Sequence, residues 1–220
     1  MTNFLRTCVV VDYQNMHLTA HGLYDCSRHG PKHDCLLDPA TFAANLLSVR
    51  NSGQRPGHRD AELTTVLVYR GLPSNRHDPA SYGRSLAQKA QWERDTRVKV
   101  HLRPLKYRFR YDSQGEVVRD SDGNEIIDGV EEKGIDVLCA LAVVRSANSG
   151  DYDLVILASH DSDLEPALDE VLERGRVKIE TCQWWGGIRP TKQLRSSVRN
   201  VWNTRLGESE FRRCWDLTNY

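Results

Sequence analysis

Apolar positions along the chain fall into two alternating patterns. Short apolar or β-branched runs at residues 7–11 and 63–70 predict strands, as does Leu154–Ala158, a continuous Leu-Val-Ile-Leu-Ala run of the kind buried on both faces. Residues 98–105 alternate as a strand does, and 177–182 forms a shorter fifth candidate. Between these runs apolar residues recur at helical spacing. Residues 39–49 carry Phe42, Leu46 and Leu47; 79–94 carry Tyr82, Leu86 and Trp92; 132–146 have a strong apolar face. Residues 164–174 set Leu164, Ala167, Leu168, Val171 and Leu172 on one side, and Gly175 supplies the stop. Residues 191–202 read as one more helix. Strands alternating with helices predict an α/β fold with a central, mostly parallel sheet and helices on both faces.

The remaining segments are polar or rich in turn residues. Residues 25–38 and 50–60 read as irregular. The stretch at about 107–130 holds two turn signals, Asp112-Ser-Gln-Gly115 and Asp120-Ser-Asp-Gly-Asn124, and predicts a hairpin-like excursion. There is no internal repeat. The expected organisation is one domain over 1–220, with that excursion and a C-terminal helical extension at about 190–220.

Composition narrows the classes. A chain of 220 residues suits one sizeable domain. Lys+Arg and Asp+Glu both number 30, so a polyanionic partner would have to be held by local basic patches. No apolar run reaches the length of a membrane span, and the N-terminus lacks the pattern of a signal peptide; both predict a cytoplasmic protein. Of the six cysteines, Cys8, Cys139 and Cys182 sit in apolar runs and read as small buried hydrophobes, not as a disulfide framework.

The chemistry concentrates in acids. Asp12 follows the run Cys8–Val11, and Asp161 follows Leu154–Ala158 by three residues, so both fall at carboxyl ends of predicted strands, where ligands bind in open α/β sheets. Asp163 lies two residues further on, Asn15 three after Asp12, and Asp136 enters the helix of 132–146. Carboxylates suit a hard divalent cation, Mg²⁺ or Mn²⁺, and such ions serve phosphodiester hydrolysis. Each acid alone has a plainer reading, as a helix N-cap or a turn residue; their grouping is what points to a site.

These residues resemble a known family. Val10-Val-Asp-Tyr-Gln-Asn15, Glu132-Lys-Gly-Ile-Asp136 and Leu154-Val-Ile-Leu-Ala-Ser-His-Asp-Ser-Asp-Leu164 are similar, in the same order, to three motifs of the NYN domain family within the PIN-like nuclease superfamily. The resemblance spans residues 10 to about 175. It implies a PIN-like, Rossmannoid three-layer fold and Mg²⁺- or Mn²⁺-dependent RNA cleavage. Asp12 and Asp161 would be metal ligands, Asp136 and Asp163 ligands or water-holding acids, and Asn15 would position the phosphate or the first Asp. Two positions depart from the pattern. His160 stands where the family usually has Gly, as a turn residue or an RNA contact. A further acid expected about six residues after the middle motif is replaced by Leu141 and Ala142, and Glu131 or Glu132 is the available substitute.

Other features add readings. Arg103-Pro-Leu-Lys-Tyr-Arg-Phe-Arg-Tyr111 interleaves cations with aromatics, so Arg103, Lys106, Arg108 and Arg110, with Lys133, are candidate RNA contacts; a solvated edge strand is the alternative. Arg189, Lys192, Arg195 and Arg199 recur at helical spacing and would form a solvated helix face or a nucleic-acid track. Cys26, His29, His33 and Cys35 have the ligand types of a structural Zn²⁺ site, but their spacing matches no standard finger. Acids at 120–131 fall at calcium-loop positions, yet Glu125 replaces the required Gly. P-loop, dinucleotide and Gly-x-Ser-x-Gly motifs are absent. Three functions follow: a metal-dependent endoribonuclease, a non-catalytic RNA-binding or scaffold protein, or a small-nucleotide phosphohydrolase. RNA is the expected partner, with a homodimer or a protein regulator as further expectations.

Overall fold

In the computed structural model, which describes residues 4–24, 35–54, 57–186 and 191–220, six strands form one parallel sheet. They are β1 (Leu5–Asp12), β2 (Ala61–Leu72), β3 (Val98–Pro104), β6 (Leu154–Ala158), β7 (Lys178–Trp184) and β8 (Trp202–Leu206), in the order β3-β2-β1-β6-β7-β8. Every pairing in this sheet is parallel. The helices are α1 (Tyr13–Leu23), α2 (Pro39–Ser52), α3 (Pro79–Trp92), α4 (Ile135–Asn148), α5 (Glu165–Arg174) and the short α6 (Glu208–Arg213). The α/β three-layer architecture read from the sequence is the one observed.

Alternation along β1 builds both layers. Leu5, Val9 and Val11 point into one core with Met16, Phe42, Leu46, Val68, Ile156 and Trp184. Cys8 and Val10 point into the other, where α4 and α5 bring Cys139, Val143, Leu168 and Val171. Such two-sided burial is why β1 and β6 read as nearly unbroken apolar runs. Cys8, Cys139 and Cys182 are buried and unbridged, as expected. Burial pushes all three thiols up, Cys8 to about 11.

Across the first core Arg50 of α2 meets Glu180 of β7 in a two-pronged ion pair (3.0 and 3.1 Å), both side chains 0% exposed. The C-terminal residues return to this side of the sheet. Asp216 accepts from the Trp92 indole N–H (2.6 Å), its own N–H donates to the Leu36 carbonyl (2.8 Å), and Leu37 bridges Trp215.

The polar excursion is a two-stranded antiparallel ribbon of β4 (Lys106–Phe109) and β5 (Ile127–Glu131), extended by isolated bridges Tyr111–Val117 and Arg119–Glu125. Asp120 accepts the backbone N–H groups of Asp122 and Asn124, so the calcium-like acids form a turn.

The C-terminal expectation is corrected. Residues 191–200 form no helix. Ser196 and Ser197 hydroxyls donate to Asp169 of α5, the Ser197 N–H does so too, and the Arg195 N–H donates to Glu165. These carboxylates satisfy groups a helix would have used internally. Strand β8 follows, so helix in the extension is confined to α6. No helix among the described residues is long and apolar enough to cross a membrane.

Candidate active site

Strand order reverses direction between β1 and β6, and a parallel sheet opens a crevice at the carboxyl ends of the strands at such a point. Val11 pairs with Ala158 there, and β1 ends on Asp12. A cavity of about 640 Å³ lies at this place, and its walls include Asp12, Asn15, Glu132, Lys133, Asp136 and Asp161.

Asp12 is 5% exposed. It accepts from the Ser159 hydroxyl (2.9 Å). Burial pushes its carboxyl up to about 6; the Ser159 hydroxyl and the Asn15 backbone N–H pull the other way, and the charges of Glu132 and Asp161 add to the rise. A short relay fixes the loop after β6. The Asp161 N–H donates to Ser159 Oγ (3.1 Å), and the His160 N–H donates to the Asn15 side-chain oxygen (2.8 Å). Asn15, in the first turn of α1, therefore ties that helix to the loop after β6. The Asp161 carboxylate caps a single 3₁₀ turn, Ser162–Leu164, by accepting the Asp163 N–H (3.0 Å). The N-cap reading of Asp161 thus holds alongside its place in the cavity wall.

Asp136 sits in the first turn of α4, where the helix dipole favours an acid. The turn before it needs Gly134, whose φ of 77° suits glycine and few other residues. Asp163 is exposed and is not part of the cavity wall. Glu132 is there instead, beside Asp12. The Gly71 N–H donates to its carboxylate, and burial raises its affinity for a proton, opposed by that bond and by Arg70. Gly71 allows this approach, since a Cβ there would collide with the Glu132 carboxylate and with Leu105. Motif order singles out Glu132 only as a substitute for the absent acid; its place against β2 is a tertiary fact no local signal carries.

The candidate RNA contacts divide. Arg103 Nε donates to the Lys133 carbonyl (2.7 Å), bracing the turn under Asp136, and Lys133 borders the cavity. Arg108 pairs with Glu131 (2.8 Å) and Arg110 with Asp128 (2.8 Å) on the exposed side of the ribbon, the side Lys106 shares. Tyr107 and Phe109 turn the other way, onto His77. Arg103, Lys106, Arg108 and Arg110 thus follow the edge-strand pattern. His160 takes a structural position: its Nε2 accepts from the Trp184 N–H (3.3 Å) and its Nδ1 meets the Lys192 carbonyl (3.1 Å). Burial lowers its affinity for a proton, partly offset by the Lys192 carbonyl. Both ring nitrogens are engaged inside the protein. Of the zinc candidates, Cys26, His29 and His33 lie outside the described residues, and Cys35 is buried.

Among the described residues no three His, Cys, Asp or Glu side chains are drawn together as a ready metal cage. The carboxylates of Asp12, Glu132, Asp136 and Asp161 share a cavity without closing on one point. That donor set still fits Mg²⁺ or Mn²⁺, because such an ion takes one or two carboxylates and keeps several waters. Asp12 supplies the motive: a desolvated carboxylate crowded by two others is relieved by a cation.

A search among curated proteins finds no match. The chain is similar to a solved Vibrio parahaemolyticus protein of unknown function, VPA0982, at 19% identity over 83% of each chain with a TM-score of 0.43. The NYN domain model matches residues 6–184, a span that holds Asp12, Asn15, Glu132, Asp136 and Asp161. With that match the chain belongs to the NYN domain family, whose members are in general nucleases.

Proposed function

We propose that this protein is a metal-dependent endoribonuclease that hydrolyses RNA phosphodiester bonds in the acidic cavity. One observation carries the reading: Asp12, Glu132, Asp136 and Asp161 line a single cavity at the point where the strand order reverses. Mg²⁺ or Mn²⁺ bound there by Asp12 with Asp161 or Asp136 would supply Lewis-acid charge and a water of lowered pKa. The chain's own residues do the rest. Asn15 and Ser159 tie the start of α1 and the end of β1 to the loop after β6 and aim the Asp12 carboxylate. Glu132, desolvated and held by Gly71, is a base for the attacking water in its ionised form. Lys133, at the rim, opposes the charge of the phosphate.

A second reading, a small-nucleotide phosphohydrolase, is favoured by the cavity volume, which falls in the range of small-molecule sites. Cleavage of single-stranded RNA by the purified protein with Mn²⁺, Mg²⁺ or EDTA, beside Asp12→Asn and Asp161→Asn, tests the first reading. The expected result is endonucleolytic products that need metal and vanish in both variants. Turnover of mononucleotides alone would transfer the assignment to the second reading. Metal-independent cleavage that survives both substitutions would remove the site altogether.

A further inference from the structure

A second depression of about 560 Å³ borders Ser162, the residue after Asp161. Its walls come from the ends of β7 and β8 and from Thr191, Lys192, Gln193 and Arg195. The two hollows meet at consecutive residues, Asp161 in one wall and Ser162 in the other. Their chemistry is opposite. The first is lined by carboxylates. The second holds Lys192, Arg195 and Arg205, against the single acid Glu165, whose carboxylate already accepts the Arg195 N–H (2.9 Å).

Trp185 stands in this second hollow at 49% exposure. The Arg205 guanidinium lies over its ring, 4.0 Å from the ring centre. A tryptophan backed by a guanidinium plane, with further cations beside it, is the arrangement that holds unpaired nucleotides: bases stack on the π-face and phosphates lie along the cations. A folded protein partner would need no such continuity with a phosphodiester-cleaving cavity. The sequence offers Lys192 and Arg195 as part of a helical face or track; the segment is not helical, and both residues border this hollow beside the ends of β7 and β8.

We propose that Trp185, Arg205, Lys192 and Arg195 form a single-strand subsite that holds the nucleotides flanking the bond in the acidic cavity. A base stacks on Trp185, and its phosphates lie against Lys192 and Arg195. The subsite rests on the nuclease reading for its purpose but is measured without it. It also gives the polymer a track that a mononucleotide would not need.

The test is fluorescence anisotropy of a labelled single-stranded RNA of about twelve nucleotides, titrated with the full chain in EDTA so that metal-dependent cleavage is silent. Trp185→Ala is expected to weaken binding about tenfold or more, and Trp185→Phe to stay close to wild type. Lys192→Gln/Arg195→Gln is expected to flatten the log–log salt dependence by about 1.4, two phosphate contacts on a single strand. All three side chains are exposed, so unchanged unfolding midpoints serve as the control. Wild-type affinity in Trp185→Ala, or equal binding of a duplex of the same sequence, would overturn the subsite. If wild type cleaves RNA while Trp185→Ala binds and cleaves as well, the subsite falls and the nuclease reading stands. If wild type binds the strand through Trp185 yet cleaves nothing with Mn²⁺, the nuclease reading falls and the subsite stands. If it neither binds nor cleaves, both fall.

Discussion

Asp12 is a carboxylate taken out of water, met among the described residues by a hydroxyl and one backbone N–H. Its pKa of about 6 against an ordinary 3.8 means that the folded protein holds the proton more tightly than the unfolded chain. The stability this confers is full below the ordinary carboxyl value and is lost as pH rises toward 6, a change of about 3 kcal/mol. Asp12→Asn should therefore unfold at a higher temperature than wild type at pH 7.5, and at nearly the same temperature at pH 4. Thermal melts at the two pH values check this. Mn²⁺ should raise the wild-type midpoint at pH 7.5 by more than that of Asp12→Asn, since the amide removes the anionic oxygen that the ion relieves. At Glu132 the expectation is kinetic. Glu132→Gln should lower kcat about a hundredfold, the usual worth of a positioned base, with RNA affinity in EDTA unchanged. Gly71→Ala, which pushes the same carboxylate aside, should lower kcat in the same direction in a single-turnover assay.

At the scale of elements, the sequence states most plainly what is buried on two faces. β6 is read with its observed bounds because all five of its residues are buried, and α5 with its glycine stop is marked by Ala167, Leu168, Val171 and Leu172 on one face. Helix α1 escapes notice because its inward face carries His17 and His21 among Tyr13, Met16, Ala20 and Leu23, so its apolar period is broken. β8 escapes for the opposite reason: Trp202-Asn-Thr-Arg-Leu206 is a short edge strand with little apolar content, defined by its pairing with β7. The three motifs announce Asp12, Asp136 and Asp161, and the cavity gathers them; Asp163 is exposed and outside the cavity wall, and Glu132 stands in it. His160 joins the loop after β6 to the end of β7 and to the segment after 190. His160→Ala should lose about 1–3 kcal/mol by stranding the Trp184 N–H and the Lys192 carbonyl. Denaturant titration reads that loss, and kcat should hold where the fold is intact; a residue touching the phosphate would lower kcat instead.

For the whole molecule, the Arg50–Glu180 pair fastens α2 to the sheet, with both side chains fully buried. Lys178 adds a second cation to Glu180 (2.7 Å). Removing one partner strands a buried charge, so Glu180→Ala should cost about 3–5 kcal/mol, whereas replacing Arg50 and Glu180 together by apolar residues of similar volume should cost far less. Urea unfolding of the single and double variants checks both values. The pattern of apolar runs had no means of revealing this pair. Glu180 interrupts a strand otherwise fit for burial, and Arg50 ends a helix where a solvated cation is ordinary. Only their meeting across 130 residues explains either.

The return of the C-terminal residues to the first core has a consequence in time. Trp92 finds the acceptor for its indole N–H at Asp216, 124 positions later. A growing chain therefore emerges with the first three strands and α3 already made while this lock is still unsynthesised. Contacts so distant in sequence slow folding and leave apolar surface open in the interval. Trp92 reports that interval in a variant whose other four tryptophans are replaced by Phe. In stopped-flow refolding its burial should coincide with the last phase, and Asp216→Ala should slow or remove that phase while earlier signals persist. Asp216 would then be the clasp that shuts the first core after the strands of the sheet are in place.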